Sequence, residues 1–188
     1  MEFISERISV ERGPGTMSVV ITARLPSVQR ALLLAWVTAW TLCGAYFVYE
    51  LVVTDKPDLR KGLIIMLAFW AYFAFGAVRT LLWRLKGFEL WRIKDGTFTV
   101  KHSVLRYGKA TDYFIANMKG FGMLNIDTDS WKWQLNDSFW TRGAERIGFE
   151  HLGKKVAIGR GITEEEARAL SRVVAEGLKR ARKAEVVG

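Results

Sequence analysis

Cysteine is nearly missing from this sequence: Cys43 stands alone in 188 residues. One thiol excludes an intrachain disulfide and any cysteine-built metal cluster, and its place in an apolar stretch makes it a small packing residue. Histidine is almost as scarce, with only His102 and His151. Neither has a cysteine or second histidine at ligand spacing, so both read as ordinary strand residues. The glycine-flanked serine of hydrolases, the P-loop and the dinucleotide fingerprint are also missing. Gly159-Arg160-Gly161 has the outline of a phosphate-binding turn ahead of a helix, but three glutamates in the following first turn disfavour an anion there. The expectation is a protein without catalytic activity, metal or cofactor, apart from peripheral contact with lipid or pigment.

Charge is missing over two long runs. Residues 31–53 carry none before Glu50, and residues 63–85 carry none before Arg79. Crossing a bilayer takes roughly 20 mostly apolar residues, and both runs reach that length. Two central helices of a soluble domain are the bland alternative, which length and lack of charge disfavour. About thirty largely polar residues precede the first run, so it is expected to be an anchor that stays rather than a cleaved signal.

Lys/Arg placement orients the hairpin. Arg24 and Arg30 precede the first run, and Arg79, Arg84, Lys86, Arg92 and Lys94 cluster at and after the end of the second; the loop between has Lys56, Arg60 and Lys61. The heavier load on the outer ends predicts two cytoplasmic termini. Tyr46 and Tyr49 on the loop side, with Trp83 and Trp91 on the other, suit the two aromatic belts. Glu50 and Arg79, the charges inside the runs, lie near opposite faces and are not expected to pair. Proximity to the nearest interface accounts for both, and contact with another membrane subunit is the functional alternative. Small residues recur at Ala31, Ala35, Ala39 and Cys43, and again at Ala68, Ala71, Ala74 and Ala77. Such stripes predict that the two helices pack on each other through them, leaving Trp36, Trp40, Phe69, Trp70, Phe73 and Phe75 to lipid.

Outside the hairpin the pattern has period two. Ile8-Ser9-Val10 and residues 18–22 read as two strands turned by Arg12-Gly13-Pro14-Gly15, a hairpin too small to stand alone and expected to join a sheet. Residues 88–94 and 97–105 flank Asp95-Gly96, a strong two-residue hairpin signal. Further strands are expected at 110–115, 120–126, 145–151 and 154–160. Thr163 and Glu166 form a capping box ahead of a helix whose apolar face is Ala167, Leu170, Val174, Gly177 and Leu178. Between them lies a polar insertion, 127–143, that nevertheless holds Trp131, Trp133, Phe139 and Trp140. Large aromatics among polar neighbours suit a protein or membrane interface; capping one end of the sheet is the equal alternative.

Antiparallel strands closed by one amphipathic C-terminal helix are the layout of a pleckstrin-homology-like domain. In residues 147–170 (IGFEHLGKKVAIGRGITEEEARAL), 88–100 (FELWRIKDGTFTV) and 8–24 (ISVERGPGTMSVVITAR), the chain resembles a bacterial group of small membrane proteins that join a two-helix hairpin to such a domain. The resemblance implies a fold, a sheet or barrel of antiparallel strands with a closing helix, and no activity or catalytic residue. It implies three parts: an N-terminal β-hairpin (1–30) joining the soluble domain, the transmembrane hairpin (31–85) and a cytoplasmic domain (86–188).

The net charge is +9, and 19 Lys/Arg against 13 Asp/Glu from Lys86 onward place +6 of it in the last part. The basic residues are dispersed, which fits an anionic membrane surface or acidic partner better than nucleic acid. Specific headgroup binding at the first hairpin of that part has only Lys94 and Lys101 to offer. The expected role is an accessory or assembly subunit of a larger inner-membrane complex, respiratory or photosynthetic. Its partner contacts would run through Trp131, Trp133, Phe139, Trp140, Arg79 and Glu50. The alternative is a stand-alone lipid- or ligand-sensing module.

Overall fold

The computed structural model describes residues 2–105, 107–126, 129–138 and 140–187. Its chain order is β1 (Glu2–Ser5), β2 (Ile8–Gly13), β3 (Thr16–Thr22), α1 (Ser27–Val53), α2 (Pro57–Lys86), β4 (Gly87–Lys94), β5 (Thr97–Val104) and β6 (Ala110–Phe114). A 3₁₀ turn (Ile115–Asn117) leads to β7 (Met118–Met123), α3 (Trp131–Asp137), β8 (Glu145–His151), β9 (Lys154–Arg160) and α4 (Glu164–Val187). The six strands β1–β6 form one antiparallel sheet in sequence order, and β7–β8–β9 form another. The strand β1 adds to the expected N-terminal hairpin, which joins the sheet through β3 against β4.

Alternation selects the core face of each strand. Ile8 and Val10, then Met17, Val19 and Ile21, then Trp91 and Ile93, then Phe98 and Val100 are all buried. The second sheet adds Ile147, Phe149 and Ile158, and α4 lays Ala167, Leu170, Val174 and Leu178 across the same core. The anticipated capping box forms: the Thr163 amide donates to Glu166 (2.8 Å) and the Glu166 amide to Thr163 Oγ1 (3.2 Å). At the β4–β5 turn Asp95 and Gly96 both take positive φ, 47° and 68°, as a two-residue hairpin of matching twist requires.

The strands do not close a barrel. After β6 the 3₁₀ turn diverts the chain, with the Ile115 amide bound to Gly96 O (2.9 Å), and β7 then pairs with β8 instead of continuing beside β6. Two sheets therefore share one core, with α4 packed on them.

The helical hairpin is spliced into the larger sheet. The strands β3 and β4 are neighbours, Thr22 opposite Phe88; β3 leads through a four-residue linker, 23–26, into α1, and α2 passes into β4 with no linker. Both helices are long and apolar enough to cross a membrane, and only 11% and 6% of their most apolar stretches are buried, unlike the core helices of a soluble domain.

The packing face of the hairpin meets the small-residue expectation only in part: Ala74 and Ala77 of α2 are covered, but Ala68 and Ala71 are exposed. Ala31, Ala35, Ala39 and Cys43 all lie exposed. The covered positions are Leu33, Val37, Trp40, Gly44, Phe47 and Leu51 on α1, and Leu63, Leu67, Trp70, Ala74, Ala77 and Leu81 on α2. Each series steps by four and three, the spacing of a knobs-into-holes seam. Its centre is Gly44: a Cβ there would stand 2.2 Å from the Trp70 ring, so the indole fills the notch glycine leaves. Trp70 Nε1 donates to Trp40 O (2.9 Å) across the seam, so Trp40 and Trp70 belong to the interface, while Trp36, Phe69, Phe73 and Phe75 stay exposed.

Candidate functional site

The polar side chains of greatest interest converge where α2 enters the sheet. In α2's last turns Thr80, Trp83 and Arg84 are buried. Arg84 donates from Nε to Thr141 O (2.8 Å) and from Nη2 to Ser138 O (3.3 Å), and Trp83 Nε1 donates to Arg142 O (3.1 Å). Three backbone carbonyls of the insertion are thereby fastened to the base of the hairpin. Close approach of two chain segments makes this possible. A Cβ on Gly143 (φ 88°) would stand 2.4 Å from Gly161 Cα and 3.4 Å from Arg84 Nη2, so glycine is required where the guanidinium is cradled. On the other side of the insertion, the edge of the Trp140 indole meets Trp36 of α1 (ring centroids 5.3 Å apart).

Behind this clamp lies a buried carboxylate. The inward positions of β4 are Gly87, Glu89, Trp91 and Ile93, so strand alternation itself points Glu89 into the core, where it is 1% exposed. Its Oε1 accepts from Trp91 Nε1 (2.8 Å) and the Gly159 amide (3.1 Å), and Oε2 from the Arg160 amide (3.1 Å). His102 Nε2 lies 3.4 Å away, opposite Glu89 in the β4–β5 register. Burial alone would raise this carboxyl, but His102, the indole N–H and the Arg160 amide outweigh it and hold it below the ordinary carboxylate range. Glu89 thus ties the end of β9 to β4, joining the two sheets with a charge.

No protein-family model, curated protein or solved structure matches this chain. Its site must therefore be read from its own geometry. Among the described residues no group of histidine, cysteine or carboxylate side chains is arranged to hold a metal ion.

A second polar feature is a cleft of about 1160 Å³ under the 23–26 linker, lined by Arg7, Arg24, Arg84, Arg146, Asp137, Glu164 and Glu166 among others. Of its cations, Arg7, Arg84 and Arg146 are engaged internally, while Arg24 is exposed on the linker. Arg7 pairs with Glu166 and Arg146 with Asp137, both at 2.5 Å, while Arg146 also lies 4.9 Å over the Trp133 ring. Three of the cleft's four arginines thus act as internal struts. Burial would raise the Glu166 carboxyl, but the Thr163 amide, the Ser5 hydroxyl and Arg7 outweigh it and hold it low.

A pH dependence follows. Carboxyls held low in the folded state contribute stability that is complete above the unfolded value, about 4.3 for glutamate, and is lost as pH falls through the folded value. The sheet domain is therefore expected to lose stability below about pH 4.3. Replacing Glu166 with Gln should lower stability at pH 7 and flatten this acid limb, as measured by urea unfolding at stepped pH. An unchanged acid limb would count against the Arg7–Glu166 strut.

The residues proposed from sequence are scattered along this frame. Trp131 is largely exposed on α3, Trp133 is half-buried under Arg146, and Trp140 rests on Trp36. Arg79 is exposed on α2, whereas Glu50 sits in the last turn of α1 at the opposite end of the hairpin. Phe139 lies outside the described residues. Only Arg79 and Trp140 thus share the base of the hairpin with Glu89, Arg84, Arg142 and Arg160; motif and spacing point to neither Glu89 nor Arg142, while Arg84 enters only through the charge at the hairpin's ends and Arg160 only through the Gly159–Gly161 turn. The signal for Glu89 was available in its phase with Trp91 and Ile93. Arg160 carries the outline of the Gly159-Arg160-Gly161 turn, where the glutamates of the following helix disfavour an anion, and Arg142 carries no such signal.

Proposed function

We propose that this chain is a non-catalytic anchor and scaffold of a bacterial cytoplasmic membrane, an accessory or assembly subunit that holds a pleckstrin-like domain at a fixed pose for a larger integral-membrane partner. The observation that carries the reading is the linker-free passage of α2 into β4, locked by Trp83 and Arg84 to the insertion. A tethered sensor works with a flexible connection; a splice of this kind suits a subunit whose domain must be oriented relative to its helices. Both termini would be cytoplasmic, with the hairpin crossing twice and the exposed small-residue stripe of α1 free for lipid or a partner helix. The stand-alone lipid-sensing reading is favoured by one observation, the arginines at the hairpin's base.

Gentle detergent extraction from native membranes, followed by sizing and mass spectrometry of co-migrating chains, tests the reading. Co-migration with a large membrane complex is the expected result. Migration alone as a small oligomer would overturn the subunit role in favour of the stand-alone module.

A further inference from the structure

Three arginines leave neighbouring backbone positions at the hairpin's base: the close approach of Gly143 to Gly161 sets Arg142 beside Arg160, and Trp83, one turn after Arg79, is bound to Arg142 O. Among the described residues only Arg160 of the three has a carboxylate partner. Arg79 projects from α2 one to two turns before the clamp, Arg142 leaves the insertion beside Trp83, and Arg160 ends β9. Arg160 pairs with Glu145 across the β8–β9 ladder. Among the described residues neither Arg79 nor Arg142 forms an ion pair, and Arg160 Nε is buried without a hydrogen-bond partner. Burial lowers the pKa of both Arg142 and Arg160; repulsion from Arg160 and Arg79 lowers Arg142 further, and Arg79 opposes the support that Glu89 gives Arg160. Such a group of cations calls for an anion.

Depth says which anion. With Gly44 seated on Trp70, the seam register carried to the base sets Arg30 level with Arg84 and Ala35 level with Arg79. Arg79 then lies roughly 7 Å deeper than that charged level, at a rise of about 1.5 Å per residue. The exposed indoles of Trp36 and Trp140 occupy the same zone, as an aromatic belt at headgroup depth would. The Asp95–Gly96 turn, where Lys94 is paired with Asp95 at 3.5 Å, ends β4 on the order of 25 Å from Gly87, at about 3.3 Å per strand residue.

The geometry points to a phosphate site formed by Arg79, Arg142 and Arg160 that holds the headgroup of an anionic phospholipid from the leaflet adjoining the soluble domain. The site rests on the two-pass reading above. It is separate from the Asp95–Gly96 turn with Lys94, and Lys101, opposite Leu90 in the β4–β5 register, is no part of it. The lipid would fill the charge gap between α2, the insertion and β9, and so complete the mount.

The test uses the full chain in nanodiscs of phosphatidylcholine containing a minority of phosphatidylglycerol, with retained lipid counted by native mass spectrometry. Wild type is expected to retain phosphatidylglycerol selectively. The Arg79→Gln/Arg142→Gln double variant should lose that selectivity by roughly thirtyfold, at about 1 kcal/mol for each of the two arginines and about 1.4 kcal/mol per tenfold. The Lys154→Gln/Lys155→Gln double variant, at the end of β9 away from Arg160 and with the same change of charge, should retain it, and Arg79→Lys/Arg142→Lys should recover much of it. Equal loss in both glutamine doubles would reduce the effect to general charge and overturn the site. Absence of selectivity in wild type would do the same even if the variants failed to fold. Displacement of the lipid by millimolar inorganic phosphate would assign the site to free phosphate instead. Release of the chain from membranes by alkaline carbonate would defeat the two-pass reading itself, a result distinct from any of these.

Discussion

Replacing Glu89 with Ala is expected to cost on the order of 3 to 5 kcal/mol of stability, the largest effect of any single side chain outside the two long apolar helices. The carboxylate accepts from the Trp91 indole and from the amides of Gly159 and Arg160. Each buried donor left without a partner costs roughly 1–3 kcal/mol, and three are stranded together. Glu89→Gln keeps the shape but turns an NH₂ group toward donors, so an intermediate loss is expected. Urea unfolding in mild detergent, followed by tryptophan fluorescence and by near-UV circular dichroism, measures both. A loss under about 1 kcal/mol for the alanine variant, the net worth of one ordinary hydrogen bond, would show that the sheets hold together without this charge.

The second large effect is expected at Gly44. A leucine there would place its Cβ 2.2 Å from the Trp70 ring, displacing the indole and breaking its bond to Trp40 O. Overpacking of a closed seam costs roughly 1–3 kcal/mol, enough to part the helices at their centre. In a Cys43→Ser background, cysteines placed at Val37 and Ala77 report the separation by their rate of cross-linking. That rate should fall by roughly tenfold or more in Gly44→Leu, in keeping with about 1.4 kcal/mol per tenfold. Ala39→Leu, on the exposed stripe, should leave it unchanged. If Ala39→Leu slows cross-linking as much as Gly44→Leu, the helices pack through the small residues after all.

That pair of substitutions also shows where the sequence could and could not be read. The two apolar runs, the Asp95–Gly96 hairpin, the strands after the insertion and the Thr163–Glu166 cap all rest on local signals: length, alternation, turn chemistry and capping. They appear in the structure at or near the expected residues. The face on which the hairpin packs is not local. Small residues at every fourth position of α1 offered one seam, and Leu33, Val37, Trp40, Gly44, Phe47 and Leu51 offered another; only Trp70, contributed by the other helix, decides between them.

The division into two sheets was hidden for a similar reason, since it depends on one 3₁₀ turn that carries β7 away from β6. Glu89 was readable, in phase with Trp91 and Ile93 along β4. The clamp was not, because Arg84 grips backbone carbonyls, which any residue supplies. The basic group at the hairpin's base joins positions 79, 142 and 160, which are brought together only by folding.

The proposed role depends on a rigid mount of the sheet domain on the long helical hairpin. It is tested most directly by a distance distribution between spin labels at Asp55, in the hairpin loop, and Lys155, on β9, in a Cys43→Ser chain reconstituted in liposomes. Pulsed electron resonance is expected to give one narrow distribution, which broadens when Arg84→Ala and Trp83→Ala together release the insertion. A broad distribution in the otherwise unaltered chain would contradict the rigid mount.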